Sequence, residues 1–97
     1  MIKDTTQKVI RREESQSDGY VYYYELIERK GRCMADFGMR LYSIKVTMTD
    51  MDGKSRHSEA RDVFSSKRKA LAFYEKIAKN LATPIDLKYV IEDEMTV

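Results

Sequence analysis

Two Asp-Gly dipeptides, Asp18-Gly19 and Asp52-Gly53, each stand between runs of apolar, β-branched and aromatic residues. Asp followed by Gly is the strongest short-range signal for a hairpin, because both residues accept the positive φ that tight turns demand. The chain is therefore predicted to open with two β-hairpins. One joins residues 5–16 to 20–29, and the other joins 40–50 to 54–63. The segment between them, GRCMADFGM (31–39), reads as the longer connection.

Charge then chooses the register. A two-residue turn at Asp18-Gly19 sets Lys8 opposite Arg29, and like charges facing each other across strands destabilise a sheet. A three-residue loop ending in a left-handed glycine instead pairs Lys8 with Glu28, Val9 with Ile27, Ile10 with Leu26 and Arg11 with Glu25. The same loop at Met51-Asp52-Gly53 pairs Lys45 with Glu59 and Ile44 with Ala60. A three-residue loop with a bulge at its glycine is thus expected at both turns.

The segment SSKRKALAFYEKIAKNLATP (65–84) changes period. Ala70, Leu71, Tyr74, Ile77, Ala78 and Leu81 recur at three- and four-residue spacing, which predicts an amphipathic helix. Ser65 or Ser66 caps it, and Thr83-Pro84 stops it. Thr83 as N-cap, Pro84 at the first helical position and Asp86 in the first turn start a short second helix over 84–95. Leu87, Val90 and Ile91 share its inner face. The competing reading, a last strand over LKYVI, is shorter and leaves Thr83-Pro84 unexplained. The expected fold is α+β: a four-stranded antiparallel sheet from two hairpins, one amphipathic helix and a short C-terminal helix. The 97 residues suffice for a single domain, 1–97, with one small core.

The sheet needs one apolar face beneath its helix. Tyr42, Ile44, Val46 and Met48 alternate with Ser43, Lys45, Thr47 and Thr49, and Tyr20, Tyr22, Tyr24 and Leu26 supply the matching face next door. Burying each tyrosine ring contributes roughly 1.5–3 kcal/mol. Three of the four clustered tyrosines are thereby assigned to the core, and Tyr23 is left on the opposite face. There Val21, Tyr23 and Ile27, with Val9 nearby and Glu25 and Arg11 alongside, form a candidate contact surface. The plainer reading is an exposed tyrosine favoured by strand propensity.

Composition narrows the chemistry. With 42% hydrophobic and 35% charged residues the chain is an ordinary globular one. It has no apolar stretch long enough to span a membrane, and its first residues, MIKDTTQKVIRREE, contain no secretory apolar run. A cytoplasmic address is the simplest expectation. Cys33 is the lone cysteine and His57 the lone histidine, so neither a disulfide nor a zinc site is expected. His57 is expected on the surface, opposite Thr47. Cys33 has no histidine near it in sequence, and Glu92-Asp93-Glu94 reads as a solvated acidic run. No phosphate-binding glycine loop, nucleophile elbow or zinc-protease motif occurs. The expectation is a non-enzyme without cofactor.

Net charge is only +2. A basic concentration at Lys54, Arg56, Arg61, Lys67, Arg68 and Lys69, diluted by Glu59 and Asp62, nonetheless makes Arg56, Arg61, Lys67, Arg68 and Lys69 the candidate contacts for single-stranded nucleic acid. Four strands followed by a helix is the element order of Whirly and PUR-type single-strand binders, whose platforms combine aromatic stacking with phosphate contacts. Against this second reading stand the near-balanced charge and the assignment of the tyrosines to the core.

The strand YSIKVT (42–47), the basic strand after it and the ending TPIDLKYVIED (83–93) resemble a small bacterial family of unknown function of about this length. The pattern is Thr-Pro-x-x-Leu…Val-Ile-Glu-Asp, and it highlights Pro84, Leu87, Val90 and Asp93. The resemblance covers most of the chain and implies no activity, cofactor or catalytic residue. The leading expectation is a non-enzymatic binding or regulatory module working through protein–protein contacts with an unidentified partner. Its sheet edges also invite a homodimer.

Overall fold

The computed structural model describes residues 7–30 and 39–95. Along them run β1 (Gln7–Ser17), β2 (Tyr20–Lys30), β3 (Arg40–Thr49), β4 (Ser55–Phe64), α1 (Lys67–Lys79) and α2 (Pro84–Met95). The strands form one antiparallel sheet in the order β1-β2-β3-β4. Both helices pack on the same face, α1 over β2 and β3, α2 chiefly over β4. The α+β architecture is the expected one. The start of the first predicted strand, the connection over 31–38 and Cys33 lie outside the described residues.

The second hairpin has the predicted register, with Lys45 opposite Glu59, Ile44 opposite Ala60 and Thr47 opposite His57. Gly53 takes φ +84° and its N–H donates to the Asp50 carbonyl at 3.1 Å. The Asp50 carboxylate accepts from the N–H groups of Asp52 and Lys54, both at 2.9 Å, and so holds the loop closed.

The first hairpin corrects the expectation. Its turn is the two-residue one: Ser17 faces Tyr20, and Asp18 and Gly19 both adopt positive φ, +52° and +82°. Arg11 faces Leu26 and Arg12 faces Glu25, in place of the predicted Ile10–Leu26 and Arg11–Glu25 pairs. Beyond that point a bulge between Val9 and Arg11 shifts the register by one. Val9 then meets Ile27 and Lys8 meets Glu28, as charge demanded. The turn and the ion pair each obtain their preferred partner, and the bulge absorbs the difference. Ile10 packs against the core from the bulge, and Arg11 beside it lies 5.4 Å from the centre of the Tyr74 ring on the same face.

A second irregularity, between Tyr42 and Ile44 on β3, was not expected. Continued regular pairing would put Asp62 opposite Tyr42, on the core face. Instead Asp62 takes φ +51° and donates its N–H to Ser43 Oγ at 2.9 Å, and Phe64 faces Tyr42. The charge leaves the core and an aromatic ring replaces it, 5.4 Å from Phe73.

The core joins Tyr22, Tyr24, Leu26, Tyr42, Ile44 and Val46 from the sheet to Phe73, Tyr74, Ile77 and Leu87 from the helices. Two buried hydroxyls connect the layers. Tyr74 Oη donates to the Tyr24 carbonyl at 2.9 Å, and Tyr24 Oη donates to the Ala82 carbonyl at 3.0 Å. Tyr20, predicted as core, is 38% exposed. It sits at the turn end of a strand about 36 Å long, past the reach of a helix about 20 Å long.

Helix α1 starts at Ser66, whose Oγ accepts from the Lys69 N–H. It ends in a paired cap: Ala82 N–H donates to the Ile77 carbonyl at 3.0 Å and Leu81 N–H to the Ala78 carbonyl at 3.3 Å. Leu81 must take φ +51° to close that cap. The twist carries it off the helical stripe, so Leu81 is 36% exposed instead of buried as predicted. Phe73, absent from the predicted stripe, is buried in its stead. Helix α2 starts as expected, with Thr83 and Asp86 each accepting the other's N–H through the side chain at 3.1 Å. Leu87 is buried, and Val90 and Ile91 pack at the core's margin.

Candidate functional site

The face of the sheet turned away from the helices collects Val21, Tyr23 and Ile27, as predicted, but offers little apolar area. Ile27 is only 7% exposed, while Val21 and Tyr23 are half-buried. Arg12 covers Tyr23 with its guanidinium 5.3 Å from the ring centre. The bulge at Ile10 brings Arg12, and not Arg11, to this face. Across the four strands Arg12, Glu25, Lys45 and Glu59 stand in register and alternate in sign. Further along, Arg29 grips Asp62 with two parallel bonds of 2.8 Å. Among the described residues this face carries opposite charges paired across the strands, with Val9 at its edge 49% exposed.

The most enclosed carboxylate is Glu28. Tyr42 Oη donates to it at 3.0 Å, Arg40 Nη1 at 3.1 Å, and Lys8 Nζ stands 3.8 Å away. Burial pushes its pKa upward, yet the phenol hydrogen bond and the two cations hold it below the usual carboxylate range. An ionised acid with both oxygens engaged is a structural clasp, not a poised base. Among the described residues no three His, Cys, Asp or Glu side chains converge into a metal-binding group.

The predicted nucleic-acid contacts do not assemble. Arg56 lies opposite Met48 near the loop end of β4, whereas Lys67, Arg68 and Lys69 begin α1 at the other end. About 26 Å of strand separates them. Arg61 lies between, with its Nε 3.7 Å from Glu59. His57 is exposed on the sheet face opposite Thr47.

The larger apolar exposure is on α2. Ile85 and Tyr89, one turn apart on its outer side, are 62% and 63% exposed. A single predicted buried face, Leu87, Val90 and Ile91, leaves Ile85 and Tyr89 out of account. The available signal was that α2 carries large apolar residues on both sides. This helix has four acids, Asp86, Glu92, Asp93 and Glu94, against Lys88. Its neighbour α1 has five cations, Lys67, Arg68, Lys69, Lys76 and Lys79, against Glu75. Between β4 and the two helices lies an open depression of ≈ 560 Å³, floored by Phe64 and Phe73 and rimmed by Lys69, Lys76 and Glu94. No helix among the described residues is long and apolar enough to cross a membrane.

Compared with known proteins, the chain matches a family model described as a family of unknown function, DUF6514, over residues 3–97. No curated protein and no solved structure matches it.

Proposed function

The chain belongs to the DUF6514 family, a family of unknown function, and we propose that it is a non-enzymatic binding module working by protein–protein contact through the outer face of α2. The observation that carries this reading is the pair Ile85 and Tyr89, both more than three-fifths exposed on a short helix whose other side already fills the core. Large apolar side chains grouped on a surface mark contact sites more often than chance scatter does. Tyrosine is also a frequent anchor of interfaces, since its ring gives area and its hydroxyl stays satisfied at the rim. The sheet face first suggested by Val21, Tyr23 and Ile27 is the weaker candidate, because Arg12 and neighbouring strands already occupy much of that patch.

The test places a photoreactive p-benzoylphenylalanine at position 89 or at position 23 in cells and asks which variant forms covalent protein adducts on illumination. Adducts at position 89 and none at 23 are expected. Adducts confined to position 23 return the contact to the sheet, and none at either position removes the reading.

A further inference from the structure

We propose that the partner received by the α2 face is a second copy of this chain, docked so that α2 of each protomer lies on α1 of the other. This rests on the outer face of α2 being a protein-contact surface, and it adds the identity of the partner. The two helices lie side by side on one face of the sheet and carry opposite charge, four acids against one cation on α2 and five cations against one acid on α1. A two-fold contact uses the same patch on both subunits, so whatever α2 needs must be found on the same face of its own copy. It is found there. Direct α2–α2 packing would oppose acid to acid, whereas α2 on the partner's α1 opposes acid to base twice over.

The geometry points to the residues. Ile85, Tyr89 and Asp93 follow one another at four-residue spacing along the side of α2 opposite buried Leu87. On α1 the corresponding outer positions, opposite buried Ala70, Tyr74 and Ile77, are Arg68, Ala72, Glu75 and Lys79, and Glu75 already stands 3.9 Å from Arg11 of β1. Ala72 leaves room for a ring one turn from Arg68, where the face of Tyr89 from the other protomer gains cation–π contact with the guanidinium as well as apolar burial. Size is adequate. A stable contact buries about 800 Å² of each partner, and two adjacent helices about 20 Å long present a face of that order on a molecule of 7111 Å² total surface.

Sedimentation velocity of the full chain at micromolar concentration and low salt decides the matter, with circular dichroism confirming that each variant folds. The wild type is expected to sediment as a species of twice 11.4 kDa and to dissociate as salt is raised. The double variant Ile85→Lys, Tyr89→Lys should weaken self-association by at least ~10-fold, the loss expected of a central anchor. Charge reversal supplies the sharper arm. A variant with Arg68→Glu and Lys79→Glu carries an α1 that is no longer basic, and one with Asp93→Lys and Glu94→Lys carries an α2 that is no longer acidic. Each alone should be monomeric, and mixing the two should restore a dimer. A monomeric wild type overturns the proposal, as does a dimer indifferent to all these changes. A monomer whose position 89 still crosslinks to a different protein overturns the self-contact while leaving the binding-module reading in place. A monomer with no adduct at position 89 removes both.

Discussion

At the scale of single residues, the unusual backbone positions all resolve a local conflict. Asp18 and Asp62 take positive φ, which aspartate tolerates through its short polar side chain. Leu81 takes it without that tolerance, at φ +51°, because the chain must reverse to send Ala82 back to the Ile77 carbonyl. A left-handed conformation costs a branched residue about 1–2 kcal/mol, and glycine is the usual occupant of that cap position. Leu81→Gly should therefore raise stability by about 1 kcal/mol, or roughly 4–8 °C in Tm for a domain of this size. Thermal unfolding reads it directly, and a lowered Tm would mean that packing by the half-exposed leucine outweighs the relief. Leu81 also illustrates what sequence spacing misses. Its i, i+3, i+4 position is apolar, but the helix ends before the stripe reaches it.

At the scale of elements, β1 shows two local rules in conflict and how the conflict is settled. Asp18-Gly19 demands a two-residue turn, and Lys8 demands Glu28 and not Arg29. Both are visible in the sequence, yet no regular strand meets both, so the extra residue had to appear somewhere between them. The turn glycine is its predicted place, and the fold puts it at Ile10. There the extra side chain is apolar and gains burial against the core, whereas at the turn it would have been solvated. Deleting Ile10 should leave a regular strand that keeps the Val9–Ile27 and Lys8–Glu28 pairs. The expected loss, about 1–2 kcal/mol, is that of one partly buried aliphatic side chain. Cross-strand NOEs in the deletion variant check the pairing. A slip that sets Lys8 against Arg29 would show that the bulge, and not the ion pair, governs the register.

At the scale of the whole molecule, the helical layer is fastened to the sheet by phenols as well as by apolar contact. Burial raises the pKa of Tyr24 and Tyr74 to about 12, and burial with the neighbouring Glu28 raises that of Tyr42. The unfolded chain ionises its tyrosines near pH 10. A group whose folded pKa lies above its unfolded one stabilises the fold fully below the unfolded value and loses that contribution as pH climbs through the folded value. Stability is therefore expected to hold up to about pH 10 and to fall steeply toward pH 12. Phenolate absorbance should show these three tyrosines of the seven ionising only together with unfolding. Smooth ionisation of all seven while circular dichroism remains native would contradict the buried hydrogen bonds. The same layer sets the distribution of charge. The helices separate cations from acids while the opposite sheet face alternates them, so Lys67, Arg68 and Lys69 stay together at the start of α1 while Arg56 is held at the far end of β4.

Local sequence alone determined the four strands, both helices, a serine cap for α1 at Ser65 or Ser66 and the cap of α2 at Thr83, the second turn with its register, and the Tyr22, Tyr24 and Leu26 core face. Each of these depends on residues within a few positions or on a simple alternation of two. Three other features depended on tertiary structure. Asp62 left the core face because Phe64 fits against Phe73 and because Arg29, thirty-three positions away, could receive the charge. Tyr20 stayed half in solvent because helix length, not strand pattern, limits how much sheet is covered. Ile85 and Tyr89 became a surface because α2 can bury only one side against β4, and which side remained outside was decided by where the sheet lay.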